Sequence, residues 1–180
     1  MAQTMNMSKL PVSWRDPVAG FIEYKRAGGC SEKTLLTRYY QLRHFANTSG
    51  TPPERVTTTQ LVEALADGRS QDSRKGLRNC FTTFFRWMKA AGRIGHDPAA
   101  TLPNVRKPRP HPRPCPDRYI TAALDHATDG ERVMILLAAE CGLRRAEIAQ
   151  VHRDDVIGGE GAYSLVVHGK GGKQRIVPLP

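Results

Sequence analysis

The chain has 180 residues, 39% of them hydrophobic: enough for one domain or two small ones with a packed core, and too apolar for a disordered chain. Its 27 Lys and Arg against 17 Asp and Glu leave a formal charge of +10, which suits a polyanionic partner, nucleic acid before an acidic membrane surface. No stretch approaches the roughly 20 apolar residues of a membrane span, and the opening MAQTMNMSKLPVSW lacks a signal peptide's apolar core, so a cytoplasmic, nucleoid-associated location is expected.

The first hundred residues read as helices. Asp16-Pro17 opens one, with Pro17 in its first turn, and Gly28-Gly29 close it near Ala27. Ser31 caps a second, which carries Leu35, Tyr39, Leu42 and Ala46 at helical spacing and ends near Gly50. Thr57 or Thr58 caps a third, with Leu61, Val62 and Leu65 inward and Gly68 as its stop. The fourth runs from about Ser70 to Ala91. Leu77, Phe81, Phe84 and Met88 form one apolar stripe along it. Between Ser73 and Gly95 there are six basic residues and no acidic one. At about 100° per residue, Lys75, Arg78, Arg86, Lys89 and Arg93 fall opposite the stripe. A charged helix face is usually just solvated. A face of one sign repels itself unless an anion lies alongside, so phosphate-backbone contact is the expectation here.

Leu102 to Pro116 follows, with six prolines and four Lys or Arg in fifteen residues. Proline removes amide donors and favours extended backbone, so this is a semi-rigid linker. Arg106, Lys107 and Arg109 make it either a plain spacer or a strap lying along DNA. Beyond it, Asp117 to Ala127 reads as a helix, and Glu131 to Cys141 as a strongly apolar, buried one. Gly142 interrupts, and Leu143 to Val151 reads as a short helix. Ala162 to Val167 has strand character, Gly169 to Lys173 is a turn, and Arg175 to Leu179 is a returning strand.

Two segments carry chemistry. The turn HGKGGKQ is neither a Walker A loop nor G-x-G-x-x-G, so a nucleotide site explains it poorly. Its glycines allow a tight turn and close backbone approach, and Lys170, Lys173 and Arg175 put positive charge on it, suited to phosphates or a base edge. In ECGLRRAEI, two arginines follow the helix break and Glu147 lies three residues after Arg144, a spacing that pairs them. A surface salt bridge would look the same. Cys30, Cys80, Cys115 and Cys141 are widely spaced with no C-x-x-C, which argues against a zinc ribbon or a disulfide framework.

In this order the segments resemble the tyrosine site-specific recombinases, the phage-integrase family. The family's G-L-R-x-x-E segment is matched by Gly142-Leu143-Arg144-Arg145-Ala146-Glu147, its D-(I/V) step by Asp155-Val156, and its G-K-G-x-K-x-R-x-V-P-L hairpin by Gly169 to Leu179. Phe84 to Ala99 looks like the last core-binding helix and the N-P-A step after it, with Asp97 in place of Asn.

The resemblance implies a mainly α chain: a helical, SAM-like core-binding domain followed by a truncated α+β catalytic domain with a β-hairpin. The expected boundaries are an N-terminal extension at 1–16, the core-binding domain at 17–102, the linker at 103–116 and the N-terminal part of the catalytic domain at 117–180. It implies strand cleavage through a 3′-phosphotyrosyl link, without metal or nucleotide cofactor, on double-stranded DNA, with a homotetramer for the complete enzyme. By position, Arg144 would stabilise the phosphorane-like oxygens, Lys170 would protonate the departing 5′-oxygen, and Glu147 would orient Arg144 or a neighbour. Arg145 competes with Arg144 on chemistry alone, and only the motif register separates them.

The family also needs an H-x-x-R segment and a nucleophilic tyrosine downstream of the hairpin. None of the six histidines has Arg three residues later, and Tyr24, Tyr39, Tyr40, Tyr119 and Tyr163 all precede the hairpin. The chain is therefore expected to be a fragment that lacks the nucleophile. Its 131–141 helix would be exposed where the rest of the catalytic domain is missing. The alternatives are a non-catalytic DNA-binding remnant that occupies recombination sites, a type IB topoisomerase relative, and a basic helical protein that binds RNA or a protein.

Overall fold

The computed structural model describes residues 5–106, 112–159, 161–169 and 171–179. The chain forms two compact units, Met1–Pro110 and His111–Pro180.

The first unit is built from four α-helices: α1 (Val12–Ala27), α2 (Glu32–Ser49), α3 (Thr58–Ala66) and α4 (Gln71–Ala90). Their ends follow local chemistry. Ser31 precedes α2, and Gly50 ends it at φ 62°, a conformation glycine takes without strain. Thr57 and Gln60 form a reciprocal capping box on α3. The Ser70 side chain accepts from Ser73 N–H at the start of α4. The core is aromatic, with Phe84 at its centre. Trp14 stacks on Phe84 at 5.7 Å, while Phe21 and Phe85 meet it edge-on at 5.3 and 5.1 Å.

Two expectations in this unit are corrected. Helix α1 begins at Val12 rather than Asp16, which leaves Pro17 inside the helix instead of in its first turn. The reason is burial: Trp14 and Leu10 are core residues at 0% and 2% exposure, and the extra turn seats Trp14. Val62 is 40% exposed rather than inward; Leu61 and Leu65 are buried and, with Ala64 packed beside them, hold α3 to the core. The Asp97-Pro98-Ala99 step is an anchor. Asp97 Oδ1 accepts from Ala99 N–H at 2.8 Å, and the Pro98 carbonyl accepts from the Thr58 hydroxyl at 2.8 Å. Only an acceptor is used at position 97, so Asp serves as well as Asn.

The second unit holds α5 (Asp117–His126), α6 (Asp129–Ala139), α7 (Arg145–Ile148) and a three-stranded antiparallel sheet: β1 (Val156–Gly159), β2 (Ala162–His168) and β3 (Gln174–Pro178), in the order β1-β2-β3. In the hairpin register Leu165 faces Val177 and His168 faces Gln174. Leu137, Leu143, Leu165 and Val167 form its small core. The fold class is thus mainly α with one small sheet.

The corrections here are larger. Helix α6 is largely exposed, as the fragment reading expects and as its apolar run alone does not: Val133 and Met134 are each 56% exposed, and only Leu137 is buried on it. The expected helix from Leu143 to Val151 shortens to the four residues of α7. Strand β1 was not foreseen. In it Gly158 adopts φ 100° in close contact with the returning strand: a Cβ there would lie 2.2 Å from the Ala162 carbonyl oxygen. Only glycine fits.

Candidate functional site

The site is assembled where α6 ends. Gly142, at φ 62°, reverses the chain, and Leu143 N–H closes the turn onto the Leu137 carbonyl at 3.1 Å. Both leucines are buried, so packing fixes the turn and sets Arg144 at the N-cap of α7. Glu147 then reaches back, and its Oε2 accepts from Arg144 N–H at 2.8 Å.

Glu147 is the one charged side chain buried among the described residues, at 6% exposure. Arg175, from β3, grips it with both terminal nitrogens: Nη1 to Oε1 and Nη2 to Oε2, each at 2.9 Å. Arg144 Nη1 adds a bond to Oε1 at 3.0 Å. The carboxylate therefore accepts four hydrogen bonds. Its pKa is held down to about 2, chiefly by the Arg175 guanidinium, then by the Arg144 amide, with burial opposing. A charge this far out of water is kept only because every lone pair is met.

The consequence is a division of labour between two arginines. The guanidinium of Arg175 is turned onto Glu147 at both forks. Arg144 commits one nitrogen to Glu147, and its side chain stays 78% exposed, with its other donors open to solvent. Arg145 is also exposed, but it makes no side-chain bond to Glu147 among the described residues and does not line the recess beside it. The structure thus separates two neighbours that chemistry alone leaves equal.

That recess has a volume near 630 Å³ and is lined by Arg144, Glu147, Gln150, His168, Lys173 and Arg175, among others. Gly169 borders it. Its N–H bonds the Lys173 carbonyl at 2.7 Å and closes the β2–β3 turn. A Cβ at Gly169 would sit 3.3 Å from that carbonyl oxygen and 3.7 Å from Glu147 Oε1, so glycine lets the turn lie close to the buried carboxylate. Lys170 lies outside the described residues. Lys173 is exposed.

A second polar chain, missed at the level of sequence, braces the same turn. His168 Nε2 lies 2.9 Å from Asp155 Oδ1, and Gln174 Nε2 lies 3.3 Å from His168 Nδ1. Asp155 Oδ2 also accepts from His152 N–H at 2.8 Å. These bonds, the His152 amide first and His168 second, hold the Asp155 carboxyl below its ordinary range. One signal was available: His168 and Gln174 flank a five-residue turn symmetrically, so a hairpin places them opposite each other.

The expected nucleic-acid face on α4 divides. Lys75, Arg86 and Lys89 are exposed. Arg78 instead donates to the carbonyls of Pro103 and Leu102, at 2.7 and 2.9 Å, and fastens the chain as it leaves the first unit. Arg93 pairs with Asp16 at 2.5 Å and lies over the Trp87 ring at 5.4 Å. Arg106 is exposed; Lys107 and Arg109 lie outside the described residues. Among the described residues, no group of three or more His, Cys, Asp or Glu could hold a metal ion, and no helix is long and apolar enough to cross a membrane. All four cysteines are free thiols, and burial pushes that of Cys80 up to about 12.

No protein-family model matches the chain. It is 29% identical over 177 residues to tyrosine recombinase XerC of Chromobacterium violaceum, an alignment that takes in 91% of this chain and 58% of that protein. It is 34% identical over 129 residues to tyrosine recombinase XerC of Rhodospirillum centenum, covering 66% of this chain and 37% of that one. The chain thus spans little more than half the length of the first of these relatives. Among solved structures, the integrase of mycobacterium phage Brujita aligns at a TM-score of 0.50 with 28% identity, over 90% of this chain and 57% of its own. A lambda integrase tetramer bound to a Holliday junction shares the fold at a TM-score of 0.72 and 21% identity, over 92% of this chain and 50% of its own. In sequence the chain is thus similar to tyrosine recombinases, and in fold to solved integrases.

Proposed function

We propose that these residues form the DNA-grasping unit and part of the phosphoryl-transfer site of a site-specific DNA recombinase. The observation that carries this is the Arg144–Glu147–Arg175 arrangement: a buried carboxylate, locked by one arginine, aims a second, open arginine into a recess bordered by a glycine turn. An arginine fixed in this way is preorganised for charge that builds on a phosphate, and it needs no reorientation during the reaction. Lys170, next to Gly169 in sequence, is assigned the proton donor's role. In the reaction a tyrosine oxygen bonds to the scissile phosphorus as the bond to the 5′-oxygen breaks, and that oxygen takes its proton from Lys170. A second DNA end reverses the step without cofactor. Lys75, Arg86 and Lys89 are assigned to the DNA backbone, with Lys173 and the linker cations Arg106, Lys107 and Arg109 beside it. By analogy with the lambda integrase tetramer on a Holliday junction, the complete enzyme would work as a homotetramer on duplex DNA. A cytoplasmic, nucleoid-associated location follows from that reading.

The 180 residues alone are expected to bind duplex DNA without cutting it, because every tyrosine precedes the hairpin. One experiment with two arms tests the proposal. In the first, the chain is titrated with duplex DNA across a range of salt concentrations; affinity should fall steeply, and a flat response would sink the DNA assignment. In the second, a longer polypeptide that carries these residues and a downstream tyrosine is given a suicide substrate. Arg144→Lys should abolish cleavage and Arg145→Lys should spare it. The reverse result would show that the wrong arginine has been assigned.

A further inference from the structure

One feature of the first unit has no part in the phosphoryl-transfer site. Trp87, on α4, lies across α1 because position 20 is glycine. A Cβ on Gly20 would sit 3.1 Å from Trp87 Cη2 and 3.3 Å from Cζ2. Glycine is disfavoured in a helix interior, so the close approach gives Gly20 a reason to be there. Phe21 and Phe84 pack on the indole at 5.7 and 6.2 Å, and the Arg93 guanidinium covers it at 5.4 Å. The indole is thereby held rigidly, yet it remains only partly buried. Tyr24, 58% exposed, stands 6.3 Å from it across α1.

Between these rings lies a cavity of about 290 Å³ lined by Tyr24, Lys25, Thr83, Arg86, Trp87 and Ala90, among others. Two cations and two aromatic rings thus meet at an open recess on the helical unit. The Thr83 hydroxyl donates back to the Asn79 carbonyl at 2.7 Å. The recess therefore has an apolar wall and cationic side chains suited to phosphates, and no Asn, Gln, Asp or Glu among its lining residues to read an adenine or cytosine edge. The two rings are inclined by 35° and do not form a parallel slot into which a flat base would slide.

We infer that this recess seats a deoxyribose of duplex DNA, the sugar's C–H face against Tyr24 and Trp87 and its flanking phosphates on Lys25 and Arg86. Charge complementarity selects the occupant: Arg86 continues the cationic row of Lys75 and Lys89 on the same helix. The inference rests on the DNA-binding reading of that row and adds to it a preorganised apolar contact that fixes where the backbone sits.

Tryptophan fluorescence tests it on the whole chain. Trp14 is 0% exposed, so emission that acrylamide can quench comes from Trp87. A mixed-sequence duplex oligonucleotide should shield Trp87 from acrylamide. Tyr24→Ser changes an exposed side chain and should weaken binding about three- to tenfold without changing the slope of log affinity against log salt, because no counterion is involved. Arg86→Gln should reduce that slope by about one. If the wild-type chain binds with a steep salt dependence while Trp87 stays open to acrylamide and Tyr24→Ser is neutral, the recess assignment is overturned and the DNA-binding reading stands. If no salt-dependent binding is seen, both fall. Tighter binding and stronger shielding by the single strand than by the duplex would show an unstacked base in the recess and overturn the sugar assignment.

Discussion

Among the described residues the first unit buries twenty-one core residues in one cluster, and the second buries four. The first is organised around interlocking aromatic rings, so its stability comes from apolar area removed from water. The second leaves Val133, Met134, Tyr119 and Ile176 largely exposed and sets a carboxylate with two arginines near its centre. The difference separates two tasks. A helical unit that presents a charged face needs only to be rigid, and hydrophobic packing supplies that. A site that must hold a guanidinium in one orientation needs directional bonds, and those require a buried polar group whose every lone pair is met.

The largest effect that would sharpen this comparison is at Phe84. Phe84→Ala removes the ring shared by Trp14, Phe21 and Phe85 and should cost about 3–5 kcal/mol. Urea unfolding followed by tryptophan emission reads this directly, since both tryptophans lie in the first unit. Amide exchange in the β2–β3 hairpin should be unchanged; a parallel loss of protection there would break the contrast between the units.

A smaller effect is expected at Gly158. Gly158→Ala forces a Cβ toward the Ala162 carbonyl oxygen from a backbone at φ 100° and should cost on the order of 1–3 kcal/mol. Faster exchange at β1 and β2 amides, with the tryptophan transition unmoved, is the expected result. Unaltered exchange would mean that the turn relaxes freely.

The gentlest test is graded with pH. The pKa of Glu147 is depressed from an ordinary 4.5 to about 2, so the unfolded unit binds a proton more readily than the folded one in that window. The stabilising contribution is full above about 4.5 and is lost as pH falls through about 2. Hairpin amide protection should therefore drop between those values. Glu147→Gln should weaken protection at neutral pH and remove that step. A hairpin equally protected at both ends of the range would show that the carboxylate does not brace the site.

Much of this was legible in the chain itself. Periodicity placed α2, α3 and α4, and Ser31, Thr57, Ser70, Gly50 and Gly142 marked their ends or the break after α6, because capping and positive φ are local requirements that a few residues settle. The glycine turn and its two strands were visible for the same reason. Position in the motif singled out Arg144 and Glu147.

Other features depend on residues distant in sequence, and only the tertiary structure decided them. Trp14 extends α1 by a turn because its partners, Phe45 and Phe84, come from α2 and α4. Arg175 serves Glu147 across twenty-eight residues, a pairing that strand register creates and composition does not show. Arg78 lies on the same helix as Arg86, and Arg93 just beyond its end, yet carbonyls and a carboxylate elsewhere in the fold engage them. Local sequence determined where the chain turns and which faces are apolar. Which charges stay free to meet a ligand was decided by what the fold brings within reach of each one.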